Sequence, residues 1–263
     1  MNITLPDGSV RELNVGSTGL DLALDIGPGL AKAAIAVSVN GEQKDLSDPI
    51  NEDSEVSIIT IDSSEGLEIM RHTLTAQVLA RAVKNLYPGT KLAIGPTITD
   101  GFYYDFEFKN PISPDDLHKI EKEMKKIIDS KSSITKVLYS KEDAIEIFKK
   151  NNETYKESII QESDQVDNFQ LYYQDNNEFV DLCRGPHLPN LKQIGSFKLT
   201  KLAGAYWKGD SKNKMLTRIY GTAWKNDKDL NAYLHSIEEA EKRDHRKLGK
   251  EMQLFHFQEE APG

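Results

Sequence analysis

The chain has 263 residues, of which 29 % are charged and 38 % are apolar, and such a composition is typical of a globular protein with two domains. No apolar run approaches the ~20 residues that cross a bilayer, so we expect no membrane association. The N-terminus lacks the features of a signal peptide, and a single cysteine excludes an internal disulfide. A reducing cytoplasmic location is therefore predicted.

The charge is unevenly distributed along the chain. The net charge of −9 disfavours a nucleic-acid partner for the molecule as a whole. Residues 196–225, however, carry seven lysines and arginines against one acid, Asp210, and residues 242–250 form a second basic stretch. These strips can neutralise phosphates locally, although solvated lysines on an exposed face explain them equally well.

The first 62 residues predict a small β-grasp domain. A hairpin over residues 3–13 precedes a helix that Thr18 can cap and that Pro28-Gly29 ends. Asn40-Gly41 marks a second hairpin, and a strand over residues 55–61 closes the unit.

The rest of the chain predicts an α+β domain in which helices pack on a mostly antiparallel sheet. Its apolar periodicity and turn residues predict helices over 67–87, 114–129 and 141–151, and strands within 91–108, 169–183 and 197–222. A last charged helix over 228–250, capped by Asp227, is predicted to be a linker.

The only cysteine lies in the run Asp181-Leu-Cys-Arg-Gly-Pro-His187. If the run begins as a strand, Asp181 and Cys183 share a face, and the Arg-Gly-Pro turn brings His187 back toward the thiol. A thiol, an imidazole and a carboxylate on one loop predict a reactive pocket rather than a packed core.

Motifs along the whole chain resemble the N-terminal half of bacterial threonyl-tRNA synthetases. They are Ile3-Thr-Leu-Pro-Asp-Gly-Ser9, residues 23–32, Ala93-Ile-Gly-Pro96, Gly101-Phe-Tyr-Tyr-Asp105, Cys183-Arg-Gly-Pro-His187, Gly204-Ala-Tyr-Trp207, residues 218–224 and residues 258–263. The resemblance implies a ubiquitin-like TGS domain over 1–62, an editing domain over 63–224 similar to that of alanyl-tRNA synthetases, and a linker helix over 225–250. Residues 251–263 would begin a class II catalytic domain that is missing here, so a fragment is expected.

The same resemblance implies the partners and cofactors. ATP, Mg²⁺ and Zn²⁺ would belong to the missing catalytic domain, and no cofactor is expected in this fragment. The acceptor end of tRNA(Thr) would be the partner, with the serine ester of mischarged tRNA as the editing substrate. The full-length family implies a homodimer, whereas this fragment is expected to be monomeric.

Serine lacks one methyl group of threonine, and a pocket discriminates against such a loss by only about 1–3 kcal/mol, so a second, hydrolytic site is required. By resemblance, His187 would orient or activate a water molecule and Cys183 would line the pocket. Asp181 would read the amino group or hydroxyl of the amino acid, or hold His187 in one tautomer. Lys156 would be the cation for the oxyanion or the terminal phosphate. Tyr104 would supply a hydroxyl and a stacking face for adenine, or it is a core aromatic.

The long helix departs from the family pattern His-x3-His. His72 and Gln77 match its two histidines, but they are five residues apart, about 140° around a regular helix, and cannot share a face. Either a π-bulge absorbs the extra residue and keeps His72 in the pocket, which we favour, or Thr73 and Gln77 replace both imidazoles. The second histidine is lost in either case.

Three functions follow from these observations. The leading one is deacylation of mischarged tRNA by an editing module. The second is a non-catalytic tRNA-binding module with a degraded editing site. The third is a free-standing metal-dependent deacylase, because related alanine-type enzymes bind zinc with four ligands. At most His72, Cys183 and His187 remain here, so a metal is not expected.

Overall fold

The computed structural model describes residues 1–175 and 178–243. Part of the predicted linker helix and all of residues 251–263 therefore lie outside the described residues. Within the described ranges, no helix combines the length and the apolar character that crossing a membrane requires.

The N-terminal unit is a five-stranded sheet with helix α1 packed on it. Its sheet order is β2-β1-β5-β3-β4, with β1 and β5 parallel and the other pairs antiparallel. Thr18 and Asp21 form the reciprocal capping box that starts α1, as Thr18 predicted. The elements are β1 (Asn2–Thr4), β2 (Val10–Glu12), α1 (Gly19–Ile26), α2 (Pro28–Ala33), β3 (Ala34–Val39), β4 (Glu42–Asp45) and β5 (Ser54–Thr60).

The second unit combines a larger and a smaller antiparallel sheet with helices, so the predicted α+β class is confirmed. The larger sheet has the order β12-β13-β8-β6, with β7 paired to β8, and the smaller has the order β11-β10-β9. The elements are α3 (Ser64–Thr73), a π-helical turn (Leu74–Leu79), α4 (Ala80–Leu86), β6 (Lys91–Leu92), β7 (Thr97–Ile98), β8 (Gly101–Glu107), α5 (Asp116–Asp129), β9 (Ile134–Tyr139), α6 (Lys141–Lys150), α7 (Thr154–Glu162), β10 (Phe169–Gln174), β11 (Phe179–Leu182), β12 (Ser196–Tyr206), β13 (Met215–Trp224) and α8 (Asp227–Lys242).

The main hydrophobic core lies between the long helix and the larger sheet. Leu74 and Val78 from the helix and Phe102 and Phe106 from β8 are all fully buried in one cluster. A second cluster around Phe148 joins α6 and α7 to the smaller sheet. The helix is thus held against the larger sheet, and its other sides contact β11 and α5.

Strand β9, helix α7 and the cap of α8 differ from the sequence predictions, which placed no strand over residues 134–139. Helix α7 was not predicted: Glu153 at its start does not cap it, and its carboxylate instead accepts the backbone N–H of Leu92 at 2.7 Å. At α8, Asn226 rather than Asp227 is the cap, since its side-chain oxygen accepts the N–H of Asp229 at 2.9 Å. Asp227 accepts the hydroxyl of Ser196 instead.

The long helix contains the π-helical turn that the extra residue predicted. In a π turn, backbone bonds join residues five apart, so such residues lie one above the other along the helix. His72 and Gln77 therefore share the face toward the smaller sheet: His72 contacts Cys183 and Gln77 contacts Gln174.

Deleting Ala76 from the π turn should leave the fold intact. The deletion restores α-helical spacing between His72 and Gln77 while the flanking turns keep their contacts, so we expect a loss of only about 1–3 kcal/mol in the free energy of unfolding. Deleting the buried Ala82 from α4 is the matched control, because it rotates every residue on one side of the deletion. Chemical denaturation followed by circular dichroism should show cooperative unfolding in the first variant alone. Equal behaviour of the two deletions would contradict the assignment.

Candidate active site

The Cys183–His187 loop follows β11 and turns back beneath the long helix. Its first residue is tied to β10, since the N–H of Cys183 donates to the carbonyl of Gln170 at 3.2 Å. Gly185 has a φ of +65°, and a Cβ there would lie 2.0 Å from the hydroxyl oxygen of Tyr172. Only glycine allows this close turn.

His72 joins this loop from the helix. Its Nε2 lies 2.7 Å from Sγ of Cys183, and its ring stacks on that of His187 with 4.6 Å between centroids and 8° between planes. Burial lowers the pKa of His72, and Lys156 lowers it further, although the carboxylates of Asp181, Glu68 and Asp45 oppose this effect. His72 is therefore neutral at pH 7 and able to accept a proton.

Thr73 holds the second imidazole. Its hydroxyl oxygen accepts the N–H of Leu188 at 3.0 Å and lies 3.1 Å from Nδ1 of His187. A hydroxyl carries one proton, and Nδ1 is the acceptor that the described residues offer to it. Thr73 thus donates to Nδ1, and this bond selects the imidazole tautomer with its proton on Nε2. The sequence left open whether His72 or Thr73 faces the pocket. In the structure, both residues contact the loop.

Lys156 and Asp181 form a buried ion pair beside the thiol. Lys156 Nζ lies 2.6 Å from Asp181 Oδ1, with side-chain exposures of 5 % and 1 %. Asp181 also accepts the hydroxyl of Tyr104 at 3.0 Å and the N–H of Leu182 at 2.8 Å. The carboxylate does not contact His187, so the suggestion that Asp181 sets its tautomer is corrected in favour of Thr73.

Tyr104 is a core aromatic, not a stacking platform. It is 1 % exposed, one face of its ring stacks on Phe106 at 4.7 Å, and Lys156 Nζ lies 5.5 Å from its centroid. Burial and the neighbouring Asp181 raise its pKa well above the ordinary value, so the phenol stays protonated. The expected stacking face for adenine is corrected; the hydroxyl orients Asp181.

Gln77 lies apart from the thiol, in a buried amide pair. Gln174 Nε2 donates to its side-chain oxygen at 3.0 Å, and Arg81 donates to Gln174 Oε1 at 3.0 Å. Gln77 Nε2 has no hydrogen-bond partner among the described residues. A role of Gln77 or Thr73 in contacting substrate stays a prediction.

A cavity of about 470 Å³ opens at this cluster. Its walls include His72, Tyr104, Lys156, Asp181 and Cys183. His187 instead lies behind His72, is 2 % exposed, and borders a second cleft against the N-terminal unit. The volume is within the range of small-ligand sites, so the cavity can admit an aminoacyl ester.

The donor cluster does not fit a zinc ion as it stands. The ligand atoms of His72, Cys183 and His187 all lie within 4.8 Å of one another. The two rings are stacked and nearly parallel, so their in-plane lone pairs run side by side instead of meeting at one point. His72 Nε2 is moreover hydrogen-bonded to the sulfur that would be the third ligand.

The basic strip over residues 196–225 is largely neutralised in the fold. Five of its seven cations have carboxylate partners from other elements: Lys198 with Glu121, Lys208 with Glu162, Lys214 with Glu107, Arg218 with Asp105 and Lys225 with Asp62. Lys201 lies over the ring of Tyr220 at 4.7 Å. No ion pair within the described ranges involves Lys201 or Lys212.

Sequence reasoning missed Asp45, which the N-terminal unit contributes to this site. Its Oδ1 accepts the backbone N–H of His187 at 2.8 Å, and its Oδ2 accepts the hydroxyl of Tyr172 at 2.6 Å. An aspartate that ends a hairpin strand gives no signal of such a distant contact.

Comparison with known proteins agrees with the resemblance seen in the sequence. Residues 1–60 match the TGS domain, and residues 170–220 match the threonyl and alanyl tRNA synthetase second additional domain. Threonine–tRNA ligase of Hahella chejuensis is 56 % identical over 261 residues, covering 99 % of this chain and 40 % of that protein. That of Paramagnetospirillum magneticum is 55 % identical over 263 residues, covering 99 % and 41 %. The chain is thus homologous to threonine–tRNA ligases. It spans about two fifths of the length of these relatives and corresponds to their N-terminal region.

The buried ion pair should dominate the stability of this site. Asp181→Ala leaves the Lys156 ammonium buried without a partner, so we expect a loss of about 3–5 kcal/mol in the free energy of unfolding. The double variant Lys156→Met with Asp181→Ala removes both charges and should lose less than the sum of the losses of its two single changes. Glu162→Gln, which breaks the exposed pair with Lys208, should leave stability unchanged. Strict additivity at 156 and 181, measured by urea denaturation, would contradict the coupling.

Proposed function

We propose that this chain hydrolyses the seryl ester of Ser-tRNA(Thr), the product of an error in threonine ligation. A ligase for threonine needs such a step because one methyl group discriminates too weakly at binding. The His72–Cys183 contact at the wall of a cavity is the observation that supports the proposal most strongly. The match to the synthetase second additional domain over residues 170–220 agrees with it.

The two imidazoles occupy different places around the attacking water. His72 lies on the cavity wall beside Cys183, so a water in the cavity can reach it, and neutral His72 accepts the water proton. His187 is stacked behind the His72 ring and holds that ring in place.

The reaction is an acyl transfer to water. The water oxygen bonds to the seryl carbonyl carbon while His72 takes a water proton. The bond between that carbon and the ribose oxygen then breaks, and the ribose oxygen receives the proton from His72. Serine and tRNA with a free terminal hydroxyl are released. Lys156, on the cavity wall, stabilises the oxyanion, and no metal or cofactor takes part.

The wider function of the protein is also a proposal. The relatives are named threonine–tRNA ligases, so we infer that the whole protein joins threonine to tRNA(Thr) with ATP and acts in the cytoplasm. We assign ATP, Mg²⁺ and a catalytic Zn²⁺ to a part of that protein outside this chain. Dimerisation would accompany that part, and we expect this chain alone to be monomeric.

Removal of either imidazole should abolish editing. His72→Ala and His187→Ala should each lower the single-turnover rate of Ser-tRNA(Thr) hydrolysis by about 10²–10⁴-fold, because the water loses its base or the ring that holds this base in place. His235→Ala, an exposed histidine of α8, is the control and should hydrolyse at the wild-type rate. Hydrolysis by wild type no faster than the free ester would refute the proposal.

The acid limb of the pH–rate profile should have its midpoint below pH 6.5. Protonated His72 cannot accept a proton, and burial lowers its pKa below the ordinary value of 6.5. The midpoint of the fall in rate, measured after correction for spontaneous ester hydrolysis, should therefore lie below that value. A midpoint at or above pH 6.5 would contradict the assignment of His72 as the base.

A non-catalytic tRNA-binding module is the second candidate. The observation that favours it is Gln77, which pairs with Gln174 where the family pattern has a second imidazole. This candidate predicts tRNA binding without turnover, with an affinity that falls as salt rises. Filter binding and deacylation measured on the same preparation separate the two.

A further inference from the structure

Resting on the proposed editing reaction, we propose that Asp45 is a positioning residue for His187, so that the N-terminal unit is a structural part of the hydrolytic site. The chain places this carboxylate 142 residues before the histidine whose backbone it holds. Asp45 does not border the 470 Å³ cavity, so it acts through His187 and not on the substrate.

The Asp45 carboxylate holds the backbone of His187 directly and its ring through Tyr172 of β10. One oxygen, Oδ1, accepts the N–H of His187 at 2.8 Å, which fixes the backbone of the residue that carries the imidazole. The other oxygen, Oδ2, accepts the hydroxyl of Tyr172 at 2.6 Å. The Tyr172 ring meets the His187 ring edge-on, with 4.3 Å between centroids. The backbone and the ring of His187 are therefore both positioned by the carboxylate of Asp45.

The carboxylate is itself held in place. Lys136 on β9 lies 2.9 Å from Asp45 Oδ2 and also pairs with Asp48. Burial alone would lower the pKa of Lys136, but the hydrogen bonds to Asp48 and Asp45 raise it overall, so the ammonium stays charged. Asp45 is 7 % exposed and thus receives three donors from the second unit with little competition from water.

This arrangement completes the support of the imidazole. Thr73 fixes the tautomer of the His187 ring, His72 covers one face of that ring, and Asp45 fixes the position of the loop backbone at His187. A displacement of about 1 Å in a catalytic group can cost about 10²-fold in rate. Loss of Asp45 should hence reduce turnover without weakening substrate binding.

The test measures turnover and binding separately in the full chain. Asp45→Ala should lower kcat for Ser-tRNA(Thr) hydrolysis by about 10–100-fold with KM unchanged. Asp45→Asn should lose less, because its amide oxygen can still accept the N–H of His187. Tyr172→Phe, which keeps the ring but loses the hydroxyl, should give an intermediate loss and remains informative if Asp45→Ala fails to fold. Asp25→Ala, at an exposed pair with Arg11 in the same unit, should match wild type.

A readout that needs no substrate separates this inference from the proposed function. In chains with ¹⁵N-labelled histidine, Asp45→Ala and Tyr172→Phe should shift the imidazole resonances of His187, whereas His118 and His235 should not move. If wild type shows no hydrolysis but these resonances shift, editing is refuted and the positioning role stands. If wild type is active and the variants keep both its kcat and its resonances, the positioning role is refuted. Equal losses in Asp45→Asn and Asp45→Ala, or a loss confined to KM, would also contradict it.

Discussion

One extra residue in the long helix determines how the site is built. A regular helix would direct His72 and Gln77 to different faces, whereas the π turn over Leu74–Leu79 lets both reach the smaller sheet. It does so without disturbing the apolar register, since Leu74 and Val78 remain buried against the larger sheet. The contact of His72 with the thiol and that of Gln77 with Gln174 are compatible with one helix because of this local widening.

The site consists of buried polar groups that are hydrogen-bonded to one another. The Asp181 carboxylate accepts hydrogen bonds from Lys156, from Tyr104 and from the backbone N–H of Leu182, and these bonds compensate for its burial. The imidazoles lack a comparable counterion in direct contact, and burial accordingly keeps His72 neutral. A neutral His72 beside a buried charge pair suits proton transfer from water at pH 7, because a protonated imidazole could not accept the proton.

The sequence predicted the parts of this site that are close along the chain. Spacing alone indicated the Cys183–His187 loop, and one surplus residue indicated the π turn. Spacing could not indicate Asp45, whose partner is 142 residues away, because only the docking of two units brings them together. Helix α7 was missed for a related reason: Glu153 at its start bonds to β6 and not to its own first turn, so no capping signal exists. Local interactions leave a pattern in sequence, and tertiary ones do not.

Charge along the chain shows the same limit. The sequence of residues 196–225 predicts a cationic strip. Its cations nevertheless form ion pairs with carboxylates from other elements of the fold, among them Glu107, Asp105 and Glu121. Such pairs add little to stability when exposed, but each cancels the field that a phosphate would meet. An RNA backbone at this face would compete with carboxylates already in place, and Lys201 and Lys212 are the cations of the strip without an ion pair in the described part of the chain. The attraction of this face for any phosphate backbone therefore depends on which cations the fold leaves without an ion pair, and a count of cations along the sequence overstates it.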